Sequence, residues 1–205
     1  RRGWLYPSDG EQGAQGKAFS ELGLRIFKPK DWNHVRVEAF GDSIKTWLNG
    51  TPCADIKDGL TPRGFIALQV HGIKNDQGRE GAQVRWRNLR IQEGASAGAG
   101  VGAMNTLTES EKSAGWRLLW DGKTTAGWRS VKDETFPANK WEIAAGVLTV
   151  RAANDPLSVG GGSIITRERF TSFELVADFK LTPGANSGIK YFVQSNLDPE
   201  NRTGA

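Results

Sequence analysis

The chain has 205 residues, a formal charge of +4 and an apolar fraction of 38%, with eight Trp and nine Phe to fill a core. That length fits one large β domain or two small ones. Lys and Arg are scattered, so nucleic-acid binding is not expected; no apolar run approaches the roughly 18 residues of a membrane span; and the single Cys53, expected as a small core residue, excludes an intrachain disulfide.

Strand signals dominate in chain order. Residues 34–40, His-Val-Arg-Val-Glu-Ala-Phe, alternate polar and apolar, as a half-buried strand does. Gly41-Asp42 turns the chain into a second alternating run, 43–48, and Asn49-Gly50 is a strong hairpin signal because both residues tolerate positive φ. Residues 51–56 read as the returning strand, with Pro52 near its start. Residues 64–71 form a nearly continuous apolar strand in which Gln69 and His71, two apart, share a face. In 84–91, Val84, Trp86, Asn88 and Arg90 fall on one side and Arg85, Arg87, Leu89 and Ile91 on the other. Neither side is purely apolar, which predicts a strand with both faces partly covered.

Gly94–Ala103 holds only Gly, Ala, Ser and one Val. It has too few side chains to pack and reads as a flexible tether between two β-rich parts. Beyond it, residues 106–113 are the best helix candidate, with Thr106 or Thr108 as cap and Glu109 and Glu111 at its positive end. Further strands are expected at 116–120, 141–143, 146–151, 163–166, 173–181 and 188–193. Many short strands with regular turns and almost no helix predict an all-β antiparallel sandwich.

Trp116-Arg-Leu-Leu-Trp-Asp-Gly-Lys-Thr-Thr-Ala-Gly-Trp128, Trp141-Glu-Ile-Ala-Ala-Gly-Val-Leu, residues 164–170, and the run from Phe173-Glu-Leu to Asn186-Ser-Gly-Ile-Lys-Tyr191 resemble the N-terminal half of the 3-keto-disaccharide hydrolase family. Trp32-Asn-His-Val-Arg-Val, Trp47-Leu-Asn-Gly, Gly64-Phe-Ile-Ala-Leu-Gln-Val-His and Val84-Arg-Trp-Arg-Asn-Leu-Arg-Ile resemble its C-terminal half. The resemblance implies the concanavalin A-like jelly-roll sandwich of two curved sheets. The halves stand in permuted order. A middle segment of the family, a Glu-Tyr-Gln strand followed by acidic residues and a His, has no counterpart here. The expectation is that residues 1–93 and 104–205 close into one sandwich around the linker 94–103; pieces of two tandem domains are the alternative.

The family resemblance implies action on 3-keto-glycosides. A ketone at C3 acidifies the C2 proton, so a base can remove it and expel the C1 substituent, after which water adds to the enone. Such a site needs a base, a group that stabilises the enolate oxygen and an acid for the leaving group. His71 is the candidate base, with a hydrogen-bonded structural His as the alternative. Lys190 is the candidate enolate stabiliser, with a solvated surface Lys as the alternative. Gln69 and Asn186 are candidate sugar-binding groups, and Trp47 and Trp141 candidate stacking platforms. Tyr191 is also a substrate-binding candidate, although it and Lys190 point to opposite faces of one strand. His34 reads as structural. Asp178, Glu174 and Lys180 share a strand face, which charge on an exposed sheet explains equally well. No cofactor is required; a divalent metal such as Ca2+ is an alternative way to polarise the ketone, with Asp121 and Asn154-Asp155 as weak oxygen-ligand candidates. The expected partner is a saccharide or glycoside. A non-catalytic carbohydrate-binding module and an inactive fragment are the rival functions. An exported protein, periplasmic or extracellular, is expected. No signal peptide is present, but the chain starts at Arg1 without Met, so this says little about compartment.

Overall fold

A computed structural model describes residues 22–70, 82–94, 103–150 and 162–195. After a helical turn at 22–26 come β1 (Trp32–Phe40), β2 (Ser43–Leu48), β3 (Thr51–Lys57), β4 (Phe65–Val70) and β5 (Val84–Glu93). Beyond the Gly/Ala segment lie α1 (Glu109–Ser113), β6 (Trp116–Leu118), β7 (Trp128–Ser130), β8 (Trp141–Ala144), β9 (Val147–Val150), β10 (Ile164–Thr166), β11 (Phe173–Leu181) and β12 (Ser187–Val193). The protein is all-β, with two antiparallel sheets. One has eight strands, in the order β3-β2-β1-β11-β5-β9-β8 with β6 also on β5; the other has four, β12-β4-β10-β7.

Strands from either side of the Gly/Ala segment alternate within both sheets. β11 lies between β1 and β5, and β4 lies between β12 and β10. Val35, Val37, Ile91, Leu175 and Phe179 of the larger sheet and Ile66, Leu68, Ile164 and Trp128 of the smaller one belong to a single buried cluster. Apolar surface from both parts is therefore removed from water together, the main source of stability in a sandwich.

Alternation sets most faces. In β1, Asn33, Val35, Val37 and Ala39 are buried, while Trp32, His34, Arg36 and Glu38 point outward. The Asn49-Gly50 turn has φ of 51° and 82°, as the hairpin requires. β5 departs from simple alternation. Asn88 takes φ 54° and the register with β11 slips between Val176 and Asp178. This bulge moves Leu89 and Ile91 onto the inner face with Val84 and Trp86, and puts Arg90 and Gln92 outside. The mixed faces read from strict alternation thus become one apolar face and one polar face.

The polar end of that outer face is covered by the segment that follows the tether. Arg90 Nη1 donates to Glu111 Oε1 at 2.6 Å, with both side chains buried, and Gln92 Nε2 donates to the Ala114 carbonyl at 2.5 Å. Thr108 caps α1: the Glu111 amide donates to Thr108 Oγ1 while the Thr108 amide donates to Glu111 Oε2. Asn88 and Asn105 exchange backbone N–H to side-chain oxygen bonds of 2.8 and 2.7 Å, a second clasp between the two parts.

β7 carries no strand signal in the sequence. Its three residues are all buried, and so short a strand shows no period of two. Cys53 is 2% exposed, and burial pushes its thiol above the ordinary range.

Candidate functional site

The outer face of the four-stranded sheet collects three of the six candidate catalytic and substrate-binding residues that the structure describes, Gln69, Asn186 and Lys190. Lys190 of β12 pairs with Ala67 of β4, Ala67 with Ile165 of β10, and Ile165 with Arg129 of β7. Gln69 sits opposite Gly188, diagonal to Lys190. Asn186 precedes β12 and falls, by the two-residue alternation, on the side of Gly188 and Lys190. Ala67 and Gly188, both buried, put little side-chain bulk between the polar groups. Phe65, Ala67 and Ile165 make a small apolar cluster at one end, with the Arg129 guanidinium 5.2 Å from the Phe65 ring centre. The side chains of Gln69, Asn186 and Lys190 have no partner among the described residues, and Lys190 is exposed. His71, Asn154-Asp155 and most of the tether lie outside the described residues.

β12 is held in place by a close backbone approach. Gly64 exchanges backbone bonds of 3.1 and 2.8 Å with Phe170, and a Cβ on Gly64 would lie 2.4 Å from the Phe192 carbonyl carbon. Phe192 itself takes φ 56°, where the β12–β4 register shifts. Tyr191 therefore turns inward with Ile189 and packs on the main core, while Lys190 faces out. Burial, helped by the Asp58 charge, pushes the Tyr191 hydroxyl up to about 12. This inward placement separates Tyr191 from the Lys190 face.

The two tryptophan candidates fall elsewhere. Trp141 is 4% exposed in the core, its indole N–H donating to the Gly162 carbonyl at 2.6 Å and its ring packed against Phe136, so it offers no open face to a sugar. Trp47 is half-buried on the outer face of the eight-stranded sheet, with the Arg36 guanidinium 4.4 Å from its ring. It lies across the sandwich from Lys190 and cannot share one sugar ring with it. Asp121 keeps its carboxylate for its own loop, accepting from the Lys123 and Thr124 amides and the Thr124 hydroxyl. Among the described residues no three His, Cys, Asp or Glu stand together as a metal site.

The outer face of the larger sheet carries a network that the sequence did not announce. His34 Nδ1 is 2.8 Å from Asp178 Oδ1, Asn88 Nδ2 donates to Asp178 Oδ2 at 2.6 Å, and Arg87 Nε donates to the same oxygen at 3.3 Å. Burial alone would push the Asp178 carboxyl up. The bonds from His34 and Asn88, with the neighbouring charges of His34 and Arg87, outweigh it and hold the carboxyl below its ordinary value. Arg36 bonds Glu38 and, through Nε, Glu174 at 2.5 Å. The signal for the network was the shared face of Glu174, Asp178 and Lys180; the β1–β11 pairing that completes it joins residues 144 positions apart.

Among the described residues no helix is long and apolar enough to cross a membrane. The model of the 3-keto-alpha-glucoside-1,2-lyase-like domain matches residues 3–92 and 115–205. A curated relative named 3-keto-disaccharide hydrolase, from Bacteroides thetaiotaomicron, is 32% identical over 93 residues, which is 44% of this chain and 32% of the relative. The chain thus matches about a third of that relative's length. With nearly all of both β-rich parts matched, the chain belongs to the 3-keto-alpha-glucoside-1,2-lyase-like domain family.

Proposed function

We propose that this protein is a carbohydrate-active hydrolase or lyase acting on 3-keto-glycosides, and that the parts on either side of Gly94–Ala103 serve it as one sandwich. The observation that carries the reading is that Gln69, Asn186 and Lys190 share one sheet face and that their side chains have no partner among the described residues. Family membership and the relative's name supply the substrate class. Cross-tether strand pairing supports the single unit.

In this reading a base takes the C2 proton, and the electron pair moves through C2–C3 onto the ketone oxygen. Lys190 stabilises that oxygen by charge and hydrogen bond. Collapse of the enolate breaks the C1–O bond, and the leaving oxygen takes a proton. Water then adds at C1 of the enone and releases the 3-keto sugar. His71, two residues beyond Gln69, is the assigned base. Gln69 and Asn186 orient ring hydroxyls. The protein works outside the cytoplasm.

The test is to offer a 3-keto-disaccharide and its unoxidised parent. Turnover of the keto form alone is expected, with losses of about 10²–10⁴-fold for His71→Ala and about 10²–10³-fold for Lys190→Ala. Equal cleavage of the parent, or an unchanged rate for His71→Ala, overturns the mechanism. A non-catalytic carbohydrate-binding module is the second reading. It is favoured by one observation: no Asp or Glu stands among the described strand residues of the Lys190 face. Binding of the keto sugar without turnover supports it.

A further inference from the structure

On the outer face of the eight-stranded sheet, His34, Asp178 and Arg87 form one row across β1, β11 and β5, and Trp32, Lys180 and Arg85 form the next. Arg87 is fixed on two sides. Its Nε donates to Asp178, and its guanidinium lies 4.0 Å from the Trp32 ring centre. Neither contact uses its two terminal nitrogens, which have no partner among the described residues, and the side chain remains 28% exposed. The protein thus holds a planar two-pronged donor whose direction is set before any ligand arrives, which lowers the ordering cost of binding.

Two further donors stand beside it. His34 spends Nδ1 on Asp178 and leaves Nε2 without a partner among the described residues; Lys180 has no partner there either. His34 and Arg87 bind the two oxygens of one carboxylate, so imidazole and guanidinium occupy the same patch. The charge of Asp178 is matched by Arg87. Lys180 and Arg85, whose bonds go to the neutral Gln83 side chain, add two positive charges, against the Glu142 carboxylate that lies beyond Thr149 in the same row, so one positive charge remains in excess among the described residues of the two rows. The patch is therefore complementary to an anion, and the geometry of a guanidinium fork suits a planar carboxylate.

We propose that this patch is a carbohydrate-binding surface separate from the Lys190 face and that it takes the carboxylate of a uronic acid unit in an acidic saccharide. The choice of a carboxylate rests on the Arg87, His34 and Lys180 donors; the choice of a saccharide rests on the carbohydrate reading above. Arg87 grips the carboxylate through its two terminal nitrogens, Lys180 adds charge, and His34 Nε2 meets a neighbouring sugar hydroxyl.

Titration calorimetry at low ionic strength compares tri-galacturonate with its fully methyl-esterified form. The acid is expected to bind at least tenfold more tightly than the ester. Arg87→Lys, which keeps the charge and removes the fork, is expected to weaken acid binding about tenfold. Lys180→Gln, an outward-facing change that does not touch the core, should weaken it severalfold. Turnover of a 3-keto-disaccharide should be unchanged in both variants. Equal affinity for acid and ester, no binding of either, or wild-type affinity in both variants overturns the proposal. A chain that prefers the acid but never turns over the keto sugar keeps this site and loses the catalytic reading.

Discussion

Replacing Arg90 by Leu is expected to unfold the protein far more easily than its place on an outward strand face suggests. The Arg90 and Glu111 side chains are only 7% and 2% exposed, and their 2.6 Å contact joins β5 to the helix that follows the tether. Removing one partner strands a buried carboxylate, a change that costs about 3–5 kcal/mol, against about 0.2–1 kcal/mol for an exposed pair. With a urea m-value near 2 kcal/mol/M, that is a midpoint shift of roughly 2 M. Arg90 Nε is itself buried without a partner, so the pair is imperfectly satisfied. The double change Arg90→Leu, Glu111→Leu should therefore recover most of the loss, leaving about 1 kcal/mol from the Thr108 capping box. Urea unfolding of the wild type, both single variants and the double variant forms a complete cycle. A single-variant cost below about 1 kcal/mol, or a double variant equal to the sum of the singles, would refute the reasoning.

Three other outcomes follow from the packing. Gly64→Ala should destabilise by about 1–3 kcal/mol or more, because the new methyl meets Phe192 backbone and β12 must move; an unchanged thermal midpoint would rule out that close approach. Tyr191 binds its proton more tightly folded than unfolded, so its contribution is complete below pH 10 and lost as pH rises toward 12. At 1.36 kcal/mol per pH unit that is worth roughly 3 kcal/mol, and Tyr191→Phe should flatten the alkaline fall in urea midpoint. A protease site placed within Gly94–Ala103 and then cut should leave the two fragments eluting together on gel filtration, since β11 lies between β1 and β5; separate elution would contradict a shared core.

Much of this fold was legible because a strand with one buried face writes its period into the sequence. The alternation in β1 and β2, the Asn49-Gly50 turn and the apolar run in β4 gave those elements within a residue or two. Strict alternation gives the wrong faces in β5 because one bulged residue, Asn88, exchanges inside and outside for all that follows. Trp47 and Trp141 looked alike in sequence, yet one ends on a polar surface and the other in the core, since burial depends on which sheet packs above. Gln69 and Lys190 lie on separate strands, and their shared face depends on the β4–β12 register, which neither strand's own sequence shows. The Asp178 network shows in the sequence only as the shared face of Glu174, Asp178 and Lys180, because His34, Arg87 and Asn88 reach it across the β1–β11–β5 pairing.

The most direct measurement is the rate of aglycone release from a 3-keto-glucoside deuterated at C2, beside the protiated compound and the unoxidised glucoside. Release from the keto compounds alone, slowed by deuterium, is the predicted result, because C–H cleavage at C2 precedes departure of the C1 group. Equal release from the unoxidised glucoside, with no effect of deuterium, would contradict elimination chemistry on this sandwich.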